Sequence, residues 1–182
     1  MTKTDTASIA VPEELFETAE TRHFEGTASL AELSAGSDTY RIEEPVAWSV
    51  DVTNTGGALL VMGAARAAAV VPCARCLEDV TYDLEGDIEG YFVIGGEEAP
   101  APDDLEGDEF SYLPESRMID LVPLIEQALL LELPLVPLCD DDCKGLCTRC
   151  GANLNEGSCG CADEGLNDAS PFAALKNLKL ED

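Results

Sequence analysis

Six cysteines fall within residues 139–161, in the run Cys139-x3-Cys143-x3-Cys147-x2-Cys150-x8-Cys159-x-Cys161, and the other two form a separate Cys73-x2-Cys76 pair. Thiols this closely spaced bind metal, form disulfides or exchange electrons. Thiolate ligation of zinc needs several sulfurs aimed at one point about 2.3 Å away, which turns carrying two cysteines each can supply. The first ten residues, Met1-Thr-Lys-Thr-Asp-Thr-Ala-Ser-Ile-Ala10, contain no continuous apolar run, so no secretory signal is read. The expectation is a cytoplasmic chain with reduced thiols, where such spacing favours metal over structural disulfides.

Gly145-Leu-Cys-Thr-Arg-Cys-Gly151 has the form of half a zinc knuckle, with Gly151 permitting the backbone geometry that turns amides toward the sulfurs. Cys159-Gly-Cys161 can close it. The preferred tetrad is therefore Cys147, Cys150, Cys159 and Cys161, holding one zinc ion. Cys139 and Cys143 form with Cys73 and Cys76 a candidate second four-thiolate site, which would pin the tail to the rest of the chain and bring the count to two. Cys139 and Cys143 also compete for the places of Cys159 and Cys161, and spacing does not order the ligands.

A four-thiolate zinc has no open position for water or substrate, so it points to a structural role and away from hydrolysis. The sequence holds no Gly-x4-Gly-Lys-Ser/Thr loop, no Gly-x-Gly-x2-Gly turn and no Gly-x-Ser-x-Gly elbow, which removes support for nucleotide and serine-hydrolase chemistry. The single histidine, His23, reads as structural. Cys73-Ala-Arg-Cys76 lies between strand-like segments with no following helix to lower a thiol pKa, so it does not read as a thioredoxin-type pair. A non-enzymatic chain without a small-molecule substrate is expected.

Charge is the second signal: 37 acidic against 10 basic residues give a formal −27. Proteins that grip nucleic acid through counterion release carry a basic face, and here such a face has to be very local. Arg75, Lys144 and Arg149 all sit among the cysteines. They either offset thiolate charge or contact RNA or a partner. The acidic surface suits a basic protein partner. The longest apolar stretch, residues 128–138, is broken by Glu132, Pro134 and Pro137, short of the ~20 residues a membrane span needs.

These cysteines need a scaffold, and the 46% apolar composition can build one. Residues 1–22 read as a tail with a short helix over 11–20, Pro12 fitting its first turn. A β-rich core follows over 23–138. Alternation in Val46-Ala-Trp-Ser-Val-Asp-Val52, the Asn54-Thr-Gly-Gly57 turn, Val70-Val71 and Val80-Thr-Tyr-Asp-Leu84 indicate strands in an antiparallel β-sheet or partial barrel. Ala64-Ala-Arg-Ala-Ala-Ala69 competes with this reading through its helix propensity. Residues 95–109, acidic and rich in Gly and Pro, read as a loop. Residues 120–133 read as a buried helix with Asp120 as N-cap and Pro134 as terminator. Beyond the cysteine-rich 139–161 comes an acidic linker and a short amphipathic helix within 162–182, over 171–180. The fold class is α+β with one buried helix and a C-terminal zinc-knuckle extension, and the only internal repeat is the recurrence of Cys-x2-Cys.

Four stretches in this order resemble the YceD family: Cys73-Ala-Arg-Cys-Leu-Glu78, Ile119-Asp-Leu-Val-Pro-Leu124, Leu130-Leu-Glu-Leu-Pro-Leu-Val-Pro-Leu-Cys139 and Lys144-Gly-Leu-Cys-Thr-Arg-Cys-Gly-Ala-Asn-Leu-Asn155. The resemblance runs from about residue 16 to 180. It implies a non-enzymatic role in accumulation of large-subunit ribosomal RNA, with a large-subunit rRNA precursor or a basic ribosomal protein as partner. The family's Asp-Pro-Arg ending is replaced here by Asp168-Ala-Ser-Pro-Phe172. A rival of another class is a zinc-thiol redox sensor, in which oxidation ejects the metal.

Overall fold

The computed structural model describes residues 7–96 and 110–161. The expected tail before residue 7, nearly all of the acidic loop and the C-terminal helix over 171–180 lie outside the described residues. The rest is organised around one long hairpin. Strand β6 (Ala58–Pro72) pairs along its whole length with β7 (Asp79–Val93). The other edge of β6 is shared: β5 (Val46–Asn54) takes one half and β4 (Asp38–Ile42) pairs at Arg41 and Ile42. Outside these lie β2 (Thr21–Ala28) against β5 and β3 (Glu32–Ala35) against β4, and β8 (Ser111–Tyr112) runs parallel to β7. The result is an open seven-stranded sheet, not a closed barrel. A second, two-stranded sheet joins β1 (Ser8–Ala10) to β9 (Met118–Asp120).

The alternation read over 46–52 continues through β5, whose residues point alternately into the core and out to solvent. The alanine-rich 64–69 stretch is strand, inside β6. Its helix propensity amounts to less than 1 kcal/mol per residue, and pairing on both sides outweighs it. The small side chains serve a purpose: Ala65 and Ala69 are fully buried on the face covered by helix α1 (Val122–Leu131), which lies over β6 and β7. On β7, a Cβ at Gly86 would stand 2.3 Å from the Ala128 carbonyl oxygen, so glycine lets α1 seat directly on the sheet. Ile125, Ala128 and Leu129 of the helix close the core with Trp48, Val50, Val61, Leu84 and Ile88.

Two helix expectations need correction. Over 11–20 the chain forms only a 3₁₀ turn, Glu13–Phe16, and Ala19 at φ 67° turns the backbone away from helix. The buried helix ends at Leu131, two residues before the expected limit, and its first residue is Val122, with Leu121 at the cap position. Asp120 still accepts a hydrogen bond from the Val122 N–H (3.0 Å), so its carboxylate satisfies a terminal donor from just outside. Among the described residues no helix is long and apolar enough to cross a membrane.

Candidate metal centre

The turn of the β6–β7 hairpin carries Cys73 and Cys76. Past the last register pair, Pro72 with Asp79, the Cys73 N–H donates to the Glu78 carbonyl (2.8 Å) and the Leu77 N–H donates back to the Cys73 carbonyl (3.0 Å). Leu77 sits at φ 64°, a conformation usually left to glycine, while 65% of it is exposed. The segment after α1 returns to this tip. Ala74 N–H donates to the Pro137 carbonyl (2.8 Å), and the Tyr82 hydroxyl both donates to the Leu138 carbonyl (2.9 Å) and accepts from its N–H (2.8 Å). That double tie delivers Cys139 to the hairpin. Arg75 Nη1 donates to the carbonyls of Asp141 (3.1 Å) and Cys143 (3.0 Å), folding the next turn inward.

The sulfurs of Cys73, Cys76, Cys139 and Cys143 all lie within 4.8 Å of one another, with Cys73 to Cys143 at 3.8 Å and Cys76 to Cys139 at 3.6 Å. A tetrahedron of 2.3 Å bonds has edges of about 3.8 Å, whereas a disulfide needs about 2.05 Å. The set therefore has the dimensions of a four-thiolate metal cage. Cys73, Cys76 and Cys143 are buried and Cys139 is exposed. Cys147, Cys150, Cys159 and Cys161 form a second set within the same 4.8 Å limit, more open to solvent. All eight thiols are free.

The thiols within each set are polarised. Burial pushes Cys73 up, but N–H groups of Cys76, Arg75 and Cys139 outweigh it and bring the thiol down to about 6. Cys147 also falls to about 6, through the N–H groups of Cys150 and Arg149 and the neighbouring thiols. Cys143 is lowered, chiefly by the side-chain amide of Asn155. In compensation, the thiols around Cys139 (Cys143 and Cys76 foremost) and around Cys161 (Cys150 and Cys159 foremost) push each up to about 12. Four like charges cannot share so small a volume without a cation. A dication removes that conflict, and each set could hold one metal ion.

Of the three cations read from the sequence, Arg75 is engaged in holding the 141–143 turn. Lys144 and Arg149 are exposed, and the Lys144 N–H donates to Asn155 Oδ1 (2.8 Å). His23 stands apart on β2, bonded to Asp51 (2.8 Å). Sequence reasoning missed Tyr82 and Asn155. Tyr82 gives no local signal, being one aromatic in an alternating strand. Asn155 belongs to the Asn-Leu-Asn that follows the second Cys-x2-Cys, and that proximity was the available clue.

Residues 61–179 match the family described as "Large ribosomal RNA subunit accumulation protein YceD". An Arabidopsis thaliana protein, "Large ribosomal RNA subunit accumulation protein YCED homolog 1, chloroplastic", is 30% identical over 159 residues, covering 74% of this chain and 49% of its own. The Zea mays protein of the same name is 30% identical over 156 residues, covering 72% and 53%. A Mycobacterium tuberculosis protein is 34% identical over 103 residues, covering 57% and 48%. The chain thus spans about half the length of these curated relatives. No solved structure matches. With the matched residues spanning both cysteine hairpins and the helix between them, this chain belongs to the YceD family.

Proposed function

We propose that the protein is a non-catalytic ribosome-biogenesis factor of the cytoplasm that supports accumulation of large-subunit ribosomal RNA, its knuckle end built on two structural four-thiolate zinc sites. Family membership carries the first half of this reading. The cage dimensions of the two cysteine sets support the second. The ligands are Cys73, Cys76, Cys139 and Cys143 at one site and Cys147, Cys150, Cys159 and Cys161 at the other.

The partner is a basic ribosomal protein in preference to naked rRNA. Asp79, Asp83, Glu85, Asp87 and Glu89 are exposed along β7. Four arginines, Arg22, Arg41, Arg66 and Arg117, are held in ion pairs with carboxylates. Among the described residues little positive surface is left for phosphate, whereas a basic protein would be steered in quickly. If RNA is contacted directly, we assign the contact to Arg75, Lys144 and Arg149.

Co-purification of the tagged full chain from its own cells, with identification of bound RNA and protein and with metal analysis, tests the reading. It predicts ribosomal proteins or rRNA precursors of the large subunit and two zinc ions per chain. Recovery of neither class would overturn the assembly role, and zinc-free folded protein with eight titratable thiols would overturn the metal sites. The zinc-thiol redox sensor keeps one favouring observation, the half-buried Cys147 thiol at about 6. Peroxide-driven zinc release at concentrations that leave other cytosolic thiols intact would favour it.

A further inference from the structure

The two cysteine hairpins are one structure built twice, and they differ in how firmly each is held. In the second, Cys147 N–H donates to the Ala152 carbonyl (2.8 Å), Gly151 N–H donates back to the Cys147 carbonyl (2.8 Å), and Gly151 takes φ 73°. Each bond and the positive φ have a counterpart at Cys73, Glu78 and Leu77. The closing pairs, Pro72 with Asp79 and Leu146 with Asn153, correspond as well. Yet the first hairpin is the end of strands 15 residues long, and the second is closed by one isolated bridge.

The second hairpin hangs from the first. Leu146 N–H donates to the Arg75 carbonyl (3.2 Å), Asn153 Nδ2 to Glu78 Oε1 (3.5 Å) and Asn155 Nδ2 to Cys143 Sγ (3.3 Å). Asn155 Oδ1 accepts from the Lys144 N–H (2.8 Å). One side chain thus grips a sulfur of the first set and the segment that leads into the second.

We propose that the two sites load in series, with metal at the Cys73, Cys76, Cys139 and Cys143 set building the second site, and with Asn155 as the positioning residue that couples them. The proposal rests on reading both sets as metal sites. A pre-formed site binds without first ordering its ligands, and the first set has that advantage. Metal there fixes Cys143 as a thiolate, to which the Asn155 amide donates more strongly than to a thiol. The clamp then holds residues 144–155 and aims Cys147 and Cys150 together. Because coupling is reciprocal, the second ion tightens the first by the same factor.

The test is a cobalt(II) titration of the full chain, stripped of metal under reducing conditions, with ions counted by native mass spectrometry and protected cysteines mapped by alkylation. In the wild type, the one-ion species protects Cys73, Cys76, Cys139 and Cys143 and leaves the other four reactive. In Asn155→Ala the first ion binds in the same place, and the gap between the two affinities widens by about tenfold, the equivalent of one charge-assisted hydrogen bond. Asn155→Asp, which keeps the acceptor for Lys144 and loses the donor to sulfur, behaves like Ala. In Cys73→Ser/Cys76→Ser the second site weakens by a similar factor, and adding Asn155→Ala weakens it no further. Equal second-site affinity in wild type and Asn155→Ala overturns serial loading while leaving both metal sites standing. Absence of bound cobalt in folded wild type removes the metal reading and the coupling together.

Discussion

Replacing Tyr82 by Phe isolates the tether that delivers Cys139 to the hairpin tip. The substitution deletes one oxygen and with it both bonds to Leu138, at 2.9 and 2.8 Å. Ring packing against the main core stays. Each neutral bond contributes about 1 kcal/mol net, so the 137–143 segment should lose about 2 kcal/mol of local stability, or roughly thirtyfold in its closed-to-open ratio. Hydrogen exchange of the Leu138 and Ala74 amides in the metal-free chain reads this directly, since Ala74 N–H is held by Pro137 in the same segment. Both should exchange about thirtyfold faster while amides of the β5–β6 ladder are unchanged. Zinc affinity at the first site should fall by less than that factor, because apparent affinity follows the fraction of chains with the site closed, and that fraction changes less than the closed-to-open ratio. Unaltered exchange at Leu138 in the folded variant would refute the tether. So would uniform loss of protection through the sheet, which would make Tyr82 a core residue instead.

Gly86→Ala should destabilise the chain by about 1–3 kcal/mol or more in urea denaturation followed by Trp48 fluorescence, because a Cβ there stands 2.3 Å from the Ala128 carbonyl and α1 has to lift; a change under about 0.5 kcal/mol would mean the helix is not seated on the sheet. Gly151→Ala forces an L side chain to φ 73°, costing about 1–2 kcal/mol, so cobalt affinity should drop about tenfold at the second site, with the first following only through coupling. Zinc affinity should fall with pH: Cys73 and Cys147, at about 6, release no proton to zinc at neutral pH, whereas Cys139 and Cys161, at about 12, each must. As pH drops through about 6 the depressed thiols protonate too, and chelator competition should show the slope steepening by one proton per site; a constant slope from pH 5 to 8 would contradict those directions.

The parts legible from sequence were those governed by local rules. Thiol spacing, alternation in β5 and the apolar run between Asp120 and Pro134 each report on neighbours within a few residues: the sulfurs gather in two sets and β5 alternates, while the helix in the apolar run is shorter than read, Val122–Leu131. The alanines of β6 left strand and helix in competition because their local preference is weak and the deciding contacts come from β5, β7 and α1. Tyr82 and Arg75 act on carbonyls more than fifty residues away, a range at which one sequence carries no pattern. The repeat of Cys-x2-Cys was visible, but that it repeats a whole hairpin was not: Leu77 occupies the place of Gly151, which hides the shared positive φ.

The first cysteine set joins parts of the chain 63 and 70 residues apart, Cys76 to Cys139 and Cys73 to Cys143. A chain made from its N-terminus at about 5–20 residues per second exposes Cys73 and Cys76 roughly 3–13 s before Cys139 is made. For that interval the hairpin carries two of its four sulfurs. During its own synthesis the protein therefore passes through a stage in which half a cage is open to the metal pool and to oxidants, and the arrival of Cys139 and Cys143 ends it.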